Sequence, residues 1–193
     1  MKISEISKRL GEIKEAGRLR TIEDFRMETA TRGIGKNGAE YIIFNSNNYL
    51  GMTHEKSVQA AAMAALIYGT GSGGARLTSG AAFEWSALEK ELAAFKHGEA
   101  ALVFNTGYMT NLGVLYGLAD EGDVIFSDAL NHASIIDGCR ISKAKTVVYK
   151  HSDMEYLEKL LQEIPCRGQR FIVTDGVFSM DGDLAPLPEL ISL

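Results

Sequence analysis

Apolar residues recur along the chain at helical spacing in some segments and as short continuous runs in others. The first segment places apolar residues three or four positions apart, at Ile3, Ile6, Leu10 and Ile13. This spacing predicts an N-terminal helix that ends near Gly17. Residues 36–40 are typical of a turn, and the apolar run 41–44 predicts the strand that leaves it.

Two further helices are predicted before residue 96. The first is alanine-rich and covers residues 54–67. The second has apolar residues at alternating steps of four and three, which predicts an amphipathic helix over 81–95. The glycine-rich run 69–74 lies between them, where a mobile connection is the plain interpretation.

From residue 100 onward, apolar runs alternate with helical segments. Strands are predicted to begin near Ala100, Val124, Thr146 and Arg170. This alternation is typical of βαβ units in a parallel sheet. The helix between the last two strands has a capping box, because Ser152 is followed three residues later by Glu155. Ligands of such sheets bind beyond the carboxyl ends of the strands, so the loops after the strands are the candidate sites.

Charge and composition narrow the class of protein. The 193 residues include 20 Lys+Arg and 25 Asp+Glu, which gives a formal net charge of −5. This balance does not favour a polyanion, so nucleic acid is not expected as a ligand. The hydrophobic fraction of 46% is that of an ordinary folded protein. The length fits one domain of roughly 100–200 residues.

No membrane or metal site is expected from the sequence. No apolar run approaches the ~20 residues that span a bilayer, and the first residues lack the apolar stretch of a signal peptide. The expected location is therefore cytoplasmic. Cys139 and Cys166 match no metal-ligand spacing, which favours two idle thiols.

The loop after the run 100–104 has the features of a phosphate site. Thr106, Gly107 and Tyr108 open a predicted helix, whose first N–H groups and positive dipole end stabilise an anion. Gly107 allows close approach, and the Tyr108 ring could flank a planar ligand. The alternative is an ordinary helix start with a capping threonine.

His132 follows the strand that begins near Val124, at the same edge of the sheet. An imidazole there can stack on an aromatic ligand or exchange protons near neutral pH. The alternative is a histidine that bonds to Asp128 or caps the next helix. The other histidines are interpreted as surface residues: His54, His97 and His151.

Ser179 follows the strand that begins near Arg170 and could donate to a ligand oxygen. No sequence context supports a serine nucleophile, so hydrolysis is not expected. Asp181 and Asp183 have the oxygen ligands that Mg²⁺ prefers, but Asp-Gly pairs are more typical of turns.

The run 69–74 also satisfies the G-x-G-x-x-G pattern of nicotinamide-dependent oxidoreductases. The fingerprint needs a strand before it and a helix directly after it, whereas a helix is predicted before this run. A nicotinamide site is therefore disfavoured.

A phosphate site, a stacking histidine and a hydroxyl at one sheet edge together suggest pyridoxal phosphate. Four longer segments, 47–51, 71–80, 127–138 and 175–183, resemble the α-oxoamine synthase family. The resemblance spans the chain but corresponds to only the N-terminal half or so of a family member. It implies an α/β protein of the pyridoxal-phosphate-dependent transferase fold type I, with an α/β/α large domain and a mostly parallel sheet, incomplete at the C-terminus.

The resemblance also implies roles for individual residues. The Thr106, Gly107 and Tyr108 segment would bind the cofactor phosphate, His132 would stack on the pyridine ring as the catalytic histidine, and Ser179 would contact the phenolic oxygen. For the substrate, the resemblance implies contacts from Arg20, Asn47 and His132.

The family condenses an amino acid with an acyl thioester and releases CO₂. Within the family, the segment 73–80 is more similar to members that join alanine to a pimeloyl thioester in biotin synthesis, whereas Asn48 and the segment 131–138 also resemble members that use glycine and acetyl-CoA. A cytoplasmic homodimer is implied.

The resemblance implies two domain segments: an N-terminal arm and small-domain segment over 1–40, and the truncated N-terminal part of the cofactor-binding large domain over 41–193. The family's lysine that holds the cofactor and the aspartate that pairs with its ring nitrogen would both follow Leu193. We therefore expect this chain alone to be inactive. A non-catalytic structural partner of an active chain is the alternative.

Overall fold

The computed structural model describes residues 3–193, which divide into two compact units. The first unit ends at Gly80 and the second is Ala81–Leu193. No helix within residues 3–193 combines the length and the apolar character that crossing a bilayer requires.

Within residues 3–80, the first unit contains two α-helices, two short 3₁₀ turns and a small antiparallel sheet. Helix α1 (Ile3–Glu15) is the predicted N-terminal helix. The sheet has the order β1-β2-β3, with strands Phe25–Met27, Arg32–Gly35 and Glu40–Ile42. Only the last strand was predicted, because the sequence of β2, Arg-Gly-Ile-Gly, lacks the alternation and β-branched residues that mark a strand.

Helix α2 (Lys56–Ala65) continues into a 3₁₀ turn, Leu66–Tyr68, and together they cover most of the predicted helix 54–67. The glycine-rich run 69–74 comes directly after this turn. A helical segment therefore precedes it, as the sequence predicted, and the strand that a dinucleotide fingerprint needs is not there.

The second unit has the alternating order expected of an α/β protein. Its helices are α3 (Phe83–Phe95), α4 (Gly107–Leu118), α5 (Ala133–Ile141), α6 (Met154–Glu163) and α7 (Leu187–Ser192). Its strands are β4 (Val124–Asp128), β5 (Lys145–Tyr149) and β6 (Arg170–Val173). The sheet is parallel with the order β5-β4-β6.

The central strand β4 is buried along its whole length. Because successive side chains of a strand point to opposite faces, Ile125 packs into one core and Val124 and Phe126 into another. The first core also contains Leu115, Ala119, Ile135 and Cys139. The second also contains Tyr149, Leu157 and Leu160. Helices α4 and α5 thus cover one face of the sheet and α6 the other.

Two local predictions were wrong. Residues 100–104 form no strand, since the sheet consists of β4, β5 and β6, and the Val103 N–H instead donates to Glu89 Oε1 at 2.8 Å. The cap of α6 is Asp153, which accepts from the Tyr156 N–H at 2.9 Å. Ser152 does not cap the helix, and its backbone has a positive φ of 52°.

Helices α4 and α5 pack closely because Gly138 has no side chain. A Cβ on Gly138 would lie 2.7 Å from Leu115 Cδ1 and 3.0 Å from the Asn111 carbonyl oxygen. Gly117, also helical, has open space at the same position.

We expect Gly138→Ala to lower the free energy of unfolding by about 1–3 kcal/mol, because the added methyl group overpacks this helix contact. Gly117→Ala is the matched control and is expected to raise it by about 0.5–1 kcal/mol through helix propensity. Urea unfolding followed by circular dichroism measures both. Equal effects of the two substitutions would contradict the close packing at Gly138.

Candidate functional site

The loops that follow β4 and β6 meet at the carboxyl edge of the sheet and form a pocket of about 270 Å³. Asn131 and His132 line it from the first loop, and Asp175 and Ser179 from the second. The structure thus brings together two of the predicted site residues, His132 and Ser179. It also identifies Asn131 and Asp175, to which the sequence analysis gave no role.

Asn131 joins the two loops. Its amide Nδ2 donates to Ser127 Oγ at 2.9 Å and to the Val173 carbonyl at 2.7 Å, while its Oδ1 accepts from the Asp175 N–H at 2.9 Å. The Asn131 side chain is buried and its hydrogen bonds are satisfied on both sides. The loop after β6 is therefore held in register with the loop after β4.

Asp175 connects the loop after β6 back to the loop after β4. Its Oδ2 accepts from the backbone N–H of His132 at 2.7 Å. Position in the loop that follows a strand of the parallel sheet is the signal that could have singled out both Asn131 and Asp175 from the sequence.

His132 is the N-cap of helix α5. Its Nδ1 accepts from the Ser134 N–H at 3.2 Å and lies 2.7 Å from Ser134 Oγ. Of the two alternatives, the helix cap is therefore correct and the bond to Asp128 is not. The rest of the exposed imidazole faces the pocket, so the capping role leaves the ring available to a ligand.

Thr106 is the N-cap of helix α4. Its Oγ1 accepts from the Met109 N–H at 3.1 Å, as the capping interpretation predicts. A Cβ on Gly107 would meet nothing within 4 Å. The helix start is therefore open at the residue where the sequence predicts close approach of a phosphate.

The Tyr108 hydroxyl donates to the Asp137 carboxylate on α5, and Asp137 also pairs with Arg140 at 3.0 Å. The hydrogen bond to Asp137 raises the pKa of Tyr108. The same bond, together with Arg140, lowers the pKa of Asp137. Through its hydroxyl, Tyr108 therefore ties the start of α4 to α5.

His151 lies between two carboxylates and is not a simple surface residue. Its Nδ1 is 2.9 Å from Asp128 Oδ1 and its Nε2 is 2.8 Å from Asp183 Oδ2. Its ring meets Phe178 edge to face, with the centroids 4.4 Å apart. The hydrogen bond to Asp128, aided by Asp183, raises the pKa of His151.

This histidine clamp, His151 with Asp128 and Asp183, connects the end of β4 to the turn that carries Ser179. The buried Asp128 carboxylate also accepts from the Leu130 N–H at 2.8 Å and the Ser152 N–H at 3.0 Å. Asp183 is thus a clamp residue. Within residues 3–193, no cluster of three or more His, Cys, Asp or Glu side chains is arranged to hold a metal ion.

Arg20 and Asn47 belong to the first unit. Arg20 lies between α1 and β1, and Asn47 in the loop after β3. Both side chains are exposed.

Three comparisons relate this chain to known proteins. The family model for aminotransferase class I and II matches residues 39–193. An 8-amino-7-oxononanoate synthase of Lysinibacillus sphaericus is 50% identical over 182 residues, which cover 94% of this chain and 46% of that protein. The 8-amino-7-oxononanoate synthase 2 of Bacillus subtilis (strain 168) is 50% identical over 196 residues, with 100% of this chain and 50% of that protein covered.

Among solved structures, a serine palmitoyltransferase variant from S. paucimobilis with a bound PLP-myriocin aldimine superimposes with a TM-score of 0.86 at 34% identity. The match covers 97% of this chain and 48% of the transferase chain. This similarity confirms the fold expected from the sequence. The chain spans about half the length of the relatives it matches.

The raised pKa of His151 makes stability depend on pH. The protonated ring is favoured in the folded state, so its contribution is complete below the unfolded pKa of about 6.5 and is lost as pH rises through the higher folded pKa. We expect the free energy of unfolding of the wild type to fall over that interval above pH 6.5, and His151→Gln to remove most of this decrease.

Asp183→Asn is expected to reduce the decrease in part, because it removes one of the two carboxylates. The matched control is Asp181→Asn, a neighbouring aspartate outside the clamp. Denaturant unfolding at several pH values measures all four proteins. If the free energy of unfolding of His151→Gln fell with rising pH as steeply as that of the wild type, the charged clamp would be contradicted.

Proposed function

The chain belongs to the aminotransferase class I and II family, and we propose that it forms the N-terminal half of an 8-amino-7-oxononanoate synthase. The reaction joins L-alanine to a pimeloyl thioester with release of CO₂. The observation that carries the proposal is the pocket in which His132 and Ser179 converge, in a chain 50% identical to synthases of that name.

We propose that pyridoxal phosphate is the cofactor and that the start of α4 binds it together with the pocket residues His132 and Ser179. The open start of α4 offers backbone N–H groups at Gly107 and Tyr108 for the phosphate, with Thr106 holding the helix end. His132 offers an exposed ring for stacking, and Ser179 offers a hydroxyl from the loop after β6. When bound, the cofactor withdraws electrons from the α-carbon of an amino acid.

The chain's own residues then bind and orient. In this proposal His132 contacts both cofactor and substrate. Its backbone N–H donates to Asp175, which fixes the position from which the imidazole stacks on the cofactor ring. The histidine clamp positions the turn of Ser179.

For the substrate, we assign Arg20 to a carboxylate, since a guanidinium binds carboxylates through paired hydrogen bonds, and Asn47 to a polar group. We further propose that residues 1–40 are an arm and small-domain segment and 41–193 part of the cofactor-binding domain. The complete protein is proposed to act as a cytoplasmic homodimer.

Cofactor binding tests the assigned residues. We expect His132→Ala to weaken binding of pyridoxal phosphate about fivefold, since stacking of one ring contributes on the order of 1 kcal/mol. Thr106→Val is expected to weaken it as well, because the helix start loses its cap. Ser142→Ala, at the other end of α5, is the control and keeps the wild-type affinity. Equal affinity of wild type and His132→Ala, measured by absorption titration, would contradict the assignment.

Turnover tests the reaction. With L-alanine and pimeloyl-CoA, we expect the complete synthase to release CO₂ and CoA, and residues 1–193 alone to give no turnover, because the family's cofactor-holding lysine is not among them. Preference for glycine and acetyl-CoA would replace the proposed substrates. Turnover by the 193 residues alone would contradict the proposed division of the catalytic residues. Absence of any turnover or cofactor binding would instead favour a structural partner.

A further inference from the structure

A chain of hydrogen bonds runs from helix α4 to His132. Asn111 Nδ2 lies 2.8 Å from Ser134 Oγ, and Ser134 Oγ lies 2.7 Å from His132 Nδ1. Ser134 is almost completely buried, with 1% of its surface exposed, so its hydroxyl has little access to water.

The direction of these hydrogen bonds follows from the backbone N–H of Ser134, which can only donate. This N–H points to His132 Nδ1. Nδ1 must therefore present its lone pair. The Ser134 hydroxyl, which lies against the same nitrogen, then has to donate its proton to Nδ1, and its own lone pairs face Asn111. The Asn111 amide consequently offers its NH₂ group, which satisfies the buried hydroxyl oxygen.

We propose that Asn111 and Ser134 are positioning residues that hold neutral His132 as the tautomer with its proton on Nε2. Nε2 has no protein partner among the described residues, and the ring borders the pocket. The pocket therefore receives one N–H donor from His132, which suits an acceptor oxygen of a ligand. This use of Nε2 rests on the proposed function, whereas the tautomer itself does not.

Two imidazole nitrogens of different protonation give distinct ¹⁵N signals, so the tautomer can be read directly. We would record long-range ¹H–¹⁵N spectra of the protein with labelled histidines, at a pH where the imidazole is neutral. The His132 signals are those that vanish in His132→Gln. We expect the unprotonated shift at Nδ1 and the protonated shift at Nε2. A proton on Nδ1 in the wild type overturns the proposal without any further variant.

Asn111→Asp tests the direction of the hydrogen bonds from Asn111 to His132. A carboxylate at this position accepts a hydrogen bond from the Ser134 hydroxyl, which turns a hydroxyl lone pair towards Nδ1 and favours a proton there. We expect the ratio of the Nε2–H to the Nδ1–H form to fall roughly fivefold, which corresponds to about 1 kcal/mol. Ser134→Ala should lower the ratio less, because the backbone N–H of residue 134 still donates to Nδ1.

The controls separate this effect from a change in charge or folding. Ser142→Ala removes a hydroxyl from the other end of α5, where it bonds to the Cys139 carbonyl at 2.8 Å. Gln162→Glu adds a charge on α6. Both should keep the wild-type ratio. An unchanged ratio in Asn111→Asp and Ser134→Ala overturns the proposal. A protein that keeps the predicted tautomer but does not bind pyridoxal phosphate contradicts the proposed function alone.

Discussion

The Asn131 side chain holds the carboxyl ends of two neighbouring parallel strands together, and the pocket depends on it. Its amide bonds to β4 and β6 at once, through Ser127 Oγ and the Val173 carbonyl. Because the group is buried, loss of either partner would leave an unsatisfied polar atom, which costs about 1–3 kcal/mol. The loops that carry His132 and Ser179 therefore have few alternative arrangements.

Further polar contacts build outward from this link. The histidine clamp fixes the turn of Ser179 from the side of β5, and the chain from Asn111 fixes the His132 ring from the side of α4. Tyr108 and Asp137 tie the start of α4 to α5. Each of these contacts joins two elements that are distant in sequence. Polar side chains that connect different elements therefore assemble the site.

The sequence predicted what depends on local periodicity. The runs of β4 and β6 and the face of α6 are apolar enough to specify their elements, and position after a strand located His132 and Ser179. The sequence did not predict the features that depend on partners far away along the chain. His151 is polar and precedes a helix, so nothing local distinguishes a surface histidine from one held by Asp128 and Asp183. Residues 100–104 have strand-like composition but pair with no strand of the sheet, and the weakly patterned β1 and β2 form through each other and β3.

The central claim is that the start of α4 and the loops after β4 and β6 form one cofactor site. Amide ¹H–¹⁵N spectra of the protein, recorded during titration with pyridoxal phosphate, test it most directly. The account predicts that the amides of residues 106–108, 131–134 and 175–179 shift together, with one shared affinity. Shifts confined to the glycine-rich run 69–74, or different affinities for the three segments, would contradict it.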